Sequence, residues 1–213
     1  MGLRSCVACL AELQGQGYEE DLRAELENLA ELNQALGETG RVPHDEPTEG
    51  EHWSWSFAGY SDLHYLRRLA AYLAINGELP EPCEDDEDPS ECDMVDDYGI
   101  EAMTGGEPEY MHLMQHSDCD GYYVPLDFDE VLMPGEKDEI GEVMIGSSYR
   151  LKEECEQLAA VLELPLNIDD RKLDEVLCSP AVASRFPREA YVCWVLHQAA
   201  CKSVESRKAI AFG

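Results

Sequence analysis

The sequence predicts a mainly α protein of the α+β class: a helical domain with one short β-hairpin and a long acidic loop. Three observations carry this. Leucines recur at three- and four-residue steps in several stretches, which is the period of one helix face. The run Trp53 to Phe57 instead alternates aromatic and polar residues with the period of a strand. Residues 78–109 hold 14 Asp or Glu, four prolines and no Lys or Arg, a composition that resists regular packing. At 213 residues and 44% hydrophobic content, the chain can still build a real core.

The elements follow in order. Residues 3–15 read as a helix, with Cys6 and Cys9 as small apolar residues on one turn. Residues 18–36 form an amphipathic helix on the stripe Leu22, Leu26, Leu29, Leu32 and Leu36. Glu19, Glu20 and Asp21 sit at its start, where the helix dipole favours anions, and Gly37 suits its stop. Residues 1–40 thus make an N-terminal helical unit. The polar connector Arg41 to Gly50 leads to the main helical domain, residues 51–213. Ser61 caps a helix over 62–76 with Leu63, Leu66, Leu69 and Leu73 inward, and Arg67 and Arg68 are expected in internal ion pairs. Pro108 opens a short helix to about Gln115. Tyr122–Phe128 and Glu142–Ile145 are expected to pair as the hairpin. Further helices are expected over 149–163, from a start within Asn167 to Asp170 as far as Cys178, and over 187–206 behind Pro187. The last has Tyr191, Trp194, Val195 and Ala199 inward, and Ile210 and Phe212 dock the C-terminus.

Charge narrows the function. There are 46 acidic against 15 basic residues, a formal charge of -31. Nucleic acid and anionic membranes are excluded as partners, while a basic protein partner or cations are favoured. Taking away the 14 acids of residues 78–109 leaves 32, so the acidity is built into the folded part. No apolar run is long enough to span a membrane, and Met1 to Leu13 lacks a secretory pattern. Nine cysteines, an odd number, fit reduced thiols and a cytoplasmic location. Neither G-x-x-x-x-G-K-[ST] nor G-x-G-x-x-G occurs, which argues against nucleotide-dependent enzymes. The expectation is an acidic, non-enzymatic binding protein, an inhibitor or immunity protein for a basic partner. Its contact residues would be Asp85, Asp86, Glu87, Asp88, Asp96 and Asp97, with Trp53 and Trp55 as apolar anchors. Oligomeric state is open.

The run His112 to Asp127 carries the alternative. Numbered from His116, it sets Asp118, Asp120 and Gly121 at the third, fifth and sixth positions of a calcium loop, and Asp127 at the twelfth. Histidine is a poor first ligand for Ca²⁺, and Asp is short for the twelfth position. A plain Asx-turn with Gly121 at positive φ accounts for the same residues. His112 and His116 lie four apart on one helix face, as do Cys193 and His197, so packed helices would offer zinc a tetrahedral set. The baseline expectation is no cofactor. The alternative is zinc or calcium at His112, His116, Asp118, Asp120 and Asp127. A thiol nucleophile at Cys119 beside His116 lacks any evident orienting group or oxyanion hole.

The motif His116-Ser117-Asp118-Cys119-Asp120-Gly121 resembles one found in small uncharacterised bacterial proteins, where it follows an apolar helix. Trp55-Ser56-Phe57-Ala58-Gly59-Tyr60 before Leu66-Arg67-Arg68-Leu69 is similar to a second segment of that group. Ala199-Ala200-Cys201 and Ile210-Ala211-Phe212 are similar to its close. The likeness covers residues 53–76, 110–121 and 147–212. Residues 122–146 stand where that group has a Pro-Glu helix start, and the first 50 residues are extra. The group brings no assigned biochemistry; a bacterial origin and a defence-related role are what the resemblance implies by association.

Overall fold

The computed structural model describes residues 4–7, 9–16, 18–57, 61–84, 87–106, 108–116, 121–133, 144–179 and 181–212. Among these, the chain runs β1 (Arg4–Val7), α1 (Cys9–Gln16), α2 (Glu19–Glu38), β2 (Trp53–Ser56), α3 (Ser61–Asn76), α4 (Asp93–Met103) and α5 (Met111–Gln115). It continues through β3 (Tyr122–Val124), β4 (Ile145–Ser147), α6 (Ser148–Val161), α7 (Asp170–Leu177), α8 (Pro187–Ser206) and β5 (Ile210–Phe212). Helices dominate, as the leucine periodicity requires.

The five short strands form one sheet in the order β2-β1-β5-β3-β4. Its pairs are antiparallel except β3 with β4, which run parallel, Tyr122 opposite Ile145 and Val124 opposite Ser147. The hairpin expected from these two segments is therefore not formed; only Leu132 bridges Ile145 in antiparallel sense. Period-two patterning marks a strand but not the direction of its partner. Residues 3–15 also depart from expectation, because Arg4–Val7 is a strand before the helix begins. A third departure lies inside residues 78–109, where α4 takes eleven residues and the other described residues are irregular. Val95, Tyr98 and Ala102 supply its inward stripe.

The sheet separates two cores. On one side α8 is wrapped by α3 and α6, and its Ala190, Cys193, Val195, Ala199 and Ala200 are wholly buried. A helix buried on most of its circumference is a central one. On the other side Leu29, Leu32 and Leu36 of α2 pack with Val124, Phe128 and Ile145. Leu26, at the margin of the α2 stripe, stays 49% exposed. Along β3 the side chains alternate between the cores, Tyr122 and Val124 to the second and Tyr123 to the first. Tyr123 stacks on His116 with ring centroids 4.0 Å apart. A Cβ at Gly146 would lie 2.4 Å from the Tyr123 ring, so only glycine fits there.

The short helix α5 is bracketed by two buried charges. Glu154 of α6 accepts from the backbone N–H groups of His112 (2.9 Å) and Leu113 (2.8 Å) at its start. Arg67 of α3 donates to the carbonyls of Leu113 (2.9 Å) and His116 at its end. Each charge faces the favourable pole of the helix dipole. Arg67 is thus internal, as expected, and it serves the carbonyls that end α5. Arg68 similarly donates to the Glu81 carbonyl and lies over the Tyr72 ring.

Arg67→Met would strand two buried carbonyls and is expected to cost about 2–4 kcal/mol, read from urea midpoints. A second expectation concerns pH. Burial pushes the Glu154 carboxyl up to about 7, and burial pushes His112 down to about 4. The Glu154 contribution is complete below its unfolded value of 4.5 and is lost as pH rises through 7. That of His112 is complete above its unfolded value of 6.5 and is lost as pH falls toward 4. Each is worth about 3 kcal/mol, so they offset. Glu154→Gln removes one arm, and the variant should lose about 3 kcal/mol more than wild type between about pH 7.5 and 4.5 in urea titrations.

Candidate partner-binding surface

The acids of α2 fall into an order that its leucines dictate. With the leucine stripe inward, Glu20, Glu27, Glu31 and Glu38 emerge on one exposed line, within about 40° of each other round the helix. Glu25 belongs elsewhere: it is half-buried, and the Tyr122 hydroxyl donates to it at 3.4 Å. Burial raises its carboxyl above the ordinary range. It hooks α2 onto β3 and is not part of the exposed line.

A second acidic tract begins after α3. Between Arg68 and Lys137 the sequence has 20 Asp or Glu and no Lys or Arg. Within it, Glu78, Glu81, Glu84, Glu87, Asp88 and Glu91 are exposed on the connecting segment. Asp93, Asp96, Asp97 and Glu101 are exposed on α4. Ser90 donates to Asp88 from both its N–H (2.9 Å) and its hydroxyl (2.7 Å), holding that bend as an Asx-turn.

Several of the cations that would neutralise these acids are engaged elsewhere, although Arg23 is exposed on α2 itself. Arg150 pairs with Asp127 (3.0 Å), Asp129 (2.8 Å) and Glu153 (2.9 Å). Lys152 pairs with Glu156, Lys202 with Glu205, and Arg171 with Asp169. Lys208 is buried, with its ammonium donating to the Glu51 carbonyl. Arg185 reaches Glu81 only at 3.7 Å. The surplus of carboxylate is therefore concentrated on α2, the connecting segment and α4.

Of the residues expected to meet a partner, Glu87, Asp88, Asp96 and Asp97 are exposed in this tract, while Asp85 and Asp86 lie outside the described residues. Trp53 and Trp55 are half-buried on the edge strand β2 and pack against the larger core. Lys202 lies over the Trp53 ring at 5.1 Å. The line on α2 was missed in the sequence, although its i, i+7, i+11, i+18 spacing was there to read.

The metal expectation meets a different environment. The Ser147 N–H donates to His112 Nδ1 at 3.0 Å, so Nε2 carries the proton and donates to the Phe128 carbonyl at 3.2 Å. Both ring nitrogens are thereby committed to the backbone. His116 Nε2 donates to the Tyr122 carbonyl at 3.0 Å. Asp127 faces Arg150, and Asp118, Cys119 and Asp120 lie outside the described residues. The Cys193–His197 pair does not join the first: Cys193 donates to the Cys155 carbonyl, and His197 faces Glu156 at 3.5 Å. Among the described residues, no group of three or more His, Cys, Asp or Glu is placed to hold a metal ion. Gly121 does take positive φ, at 86°, as a turn there requires.

A family model described as "Putative DNA-mimic protein" matches residues 1–212. The chain belongs to that family. Searches of the curated proteins and of the solved structures found no match. For a member of a DNA-mimic family the measure of the surface is the phosphate backbone. From Glu20 to Glu38 the α2 line spans about 27 Å, over which one DNA strand places about eight phosphates. Four carboxylates on that line give about half the charge density of a strand, so α2 alone is a sparse copy. No described helix is long and apolar enough to cross a membrane.

Glu27 and Glu31 are four apart and repel, so Glu31→Lys should stabilise the fold by roughly 0.5 kcal/mol in thermal melts at low salt. The gain should vanish at about 1 M salt, where screening reaches about 3 Å.

Proposed function

We propose that this protein is a non-enzymatic binder that presents carboxylates in place of DNA phosphates to a basic, DNA-handling protein. One observation carries the reading. The surplus acids stand on folded helices, with fixed spacing on α2 and α4, and are not confined to a trailing segment. Membership of a DNA-mimic family supports the same reading. Fixed carboxylates cost less ordering on binding than a mobile tail, and they steer a cationic partner toward encounter. A protein that fills the DNA-binding face of its partner silences it, which is the physical content of an inhibitor or immunity role. The resemblance to bacterial proteins with the His-Ser-Asp-Cys-Asp-Gly motif is compatible with such a role in a bacterial cytoplasm.

Occupancy of a shared face is the testable core. Once a partner has been identified by affinity capture, adding this protein should release it from duplex DNA in a gel-shift assay. The partner's directly measured affinity for this protein should itself fall steeply between about 50 and 500 mM salt, because salt screens its contacts with the carboxylates. A partner that holds DNA and this protein together, with no competition at any salt, would count against the reading.

A further inference from the structure

One exposed surface in the acidic tract is apolar. α4, α5 and Met133 line a groove of about 440 Å³. Val95, Ala102 and Met103 line it from α4, Met114 from α5, and Met133 from the opposite wall. Met103 is 82% exposed and Met133 49%, while Ile100 on α4 is 56% exposed. These are large apolar groups left in water in a chain otherwise dense with charge. Methionine is unbranched and polarizable, so such a wall adapts to the shape of what enters. The floor is fixed: Tyr98 is buried, and its hydroxyl donates to the Glu109 carbonyl at 2.8 Å.

The α4 side of the rim is negative, and Gln115 adds a neutral polar group from α5. Asp96 follows Val95 and Glu101 precedes Ala102, so exposed carboxylates stand on either flank of the lining face of α4. Asp93 and Asp97 lie on its outer side, and no Lys or Arg occurs in the sequence from residue 69 to residue 136. An occupant of the groove therefore meets an apolar floor with carboxylates along both flanks of α4. The complementary shape is a helix with one apolar stripe and cationic flanks.

We propose that this groove receives the apolar face of a cationic amphipathic helix on the basic partner. The inference rests on the partner-binding reading above and adds to it where, and by what chemistry, the partner is gripped. Charge alone gives fast encounter, but its contribution is screened within about 8 Å at physiological salt. A desolvated apolar anchor is insensitive to that screening and supplies the slow release that a lasting complex needs.

Gly99 gives a clean test. It lies in the groove wall, and a Cβ there would meet nothing within 4 Å. Gly99→Phe therefore fills the groove without crowding the fold, and replacing a helical glycine does not weaken α4. The probes are a synthetic amphipathic Leu/Lys helix and the same peptide with every Leu replaced by Gln. Affinity would be measured by calorimetry at about 150 mM salt, with Met methyl NMR of the full chain. The Leu/Lys helix should bind at least about tenfold tighter than its Gln counterpart, a difference of about 1.4 kcal/mol. Its addition should shift the Met103, Met114 and Met133 methyl signals. Gly99→Phe and the double variant Met103→Gln, Met133→Gln should each abolish the preference while leaving the Gln peptide's affinity unchanged. Equal affinity for both peptides would overturn the groove proposal and leave the acidic reading standing. Failure of both to bind would go against the acidic reading itself. Movement of the Met103 signal on dilution without peptide would assign the groove to a second copy of this chain and would overturn the proposal.

Discussion

The clamp on α5 ties the structure together. A five-residue helix has almost no stability of its own, because nucleation costs more than so few bonds return. Here Glu154 and Arg67 supply the missing partners at its two ends, from α6 and α3 respectively. His112 then reaches from α5 to the backbone of β4 and of Phe128, and the Tyr123 hydroxyl donates to the His112 carbonyl at 2.7 Å. Three helices and two strands are thereby fixed through one small element. The same element forms a wall of the methionine-lined groove, so the geometry of that surface depends on two buried charges some distance behind it.

Buried and exposed charge play opposite parts. Inside, several ionisable groups have a defined neighbour: Lys208 has the Glu51 carbonyl, and His44 has Glu46 at 2.6 Å. Outside, carboxylates outnumber what the cations can offset, and their mutual repulsion opposes compaction. The two cores on either side of the sheet must overcome that repulsion. A fold that maintains such an excess on ordered helices bears a continuous thermodynamic load, and a cationic partner would relieve it.

Much of the helical frame was legible in the residues. The leucine stripe of α2, the Ser61 start of α3 and the Pro187 start of α8 each have a local cause, and all three helices begin within a residue of where that cause places them. The sheet was not legible in the same way. β1, β3, β4 and β5 are three or four residues long, and they pair across most of the chain, so no local pattern announces a partner or its direction. α4 was hidden by its neighbours, because prolines and acids on either side outweigh the short stripe of Val95, Tyr98 and Ala102. The histidines of α5 were legible as chemistry but not as structure. Spacing puts them on one helix face, yet only the packed fold reveals that carbonyls and a backbone N–H occupy them.

The place of β5 in the sheet has a consequence for biogenesis. This strand lies between β1 and β3, and it is the last of the five to leave the ribosome. Until it emerges, the β1–β2 pair and the β3–β4 pair have no common edge, and contacts joining residues about 200 positions apart cannot form. Closure is therefore a late, long-range event of the kind that slows folding.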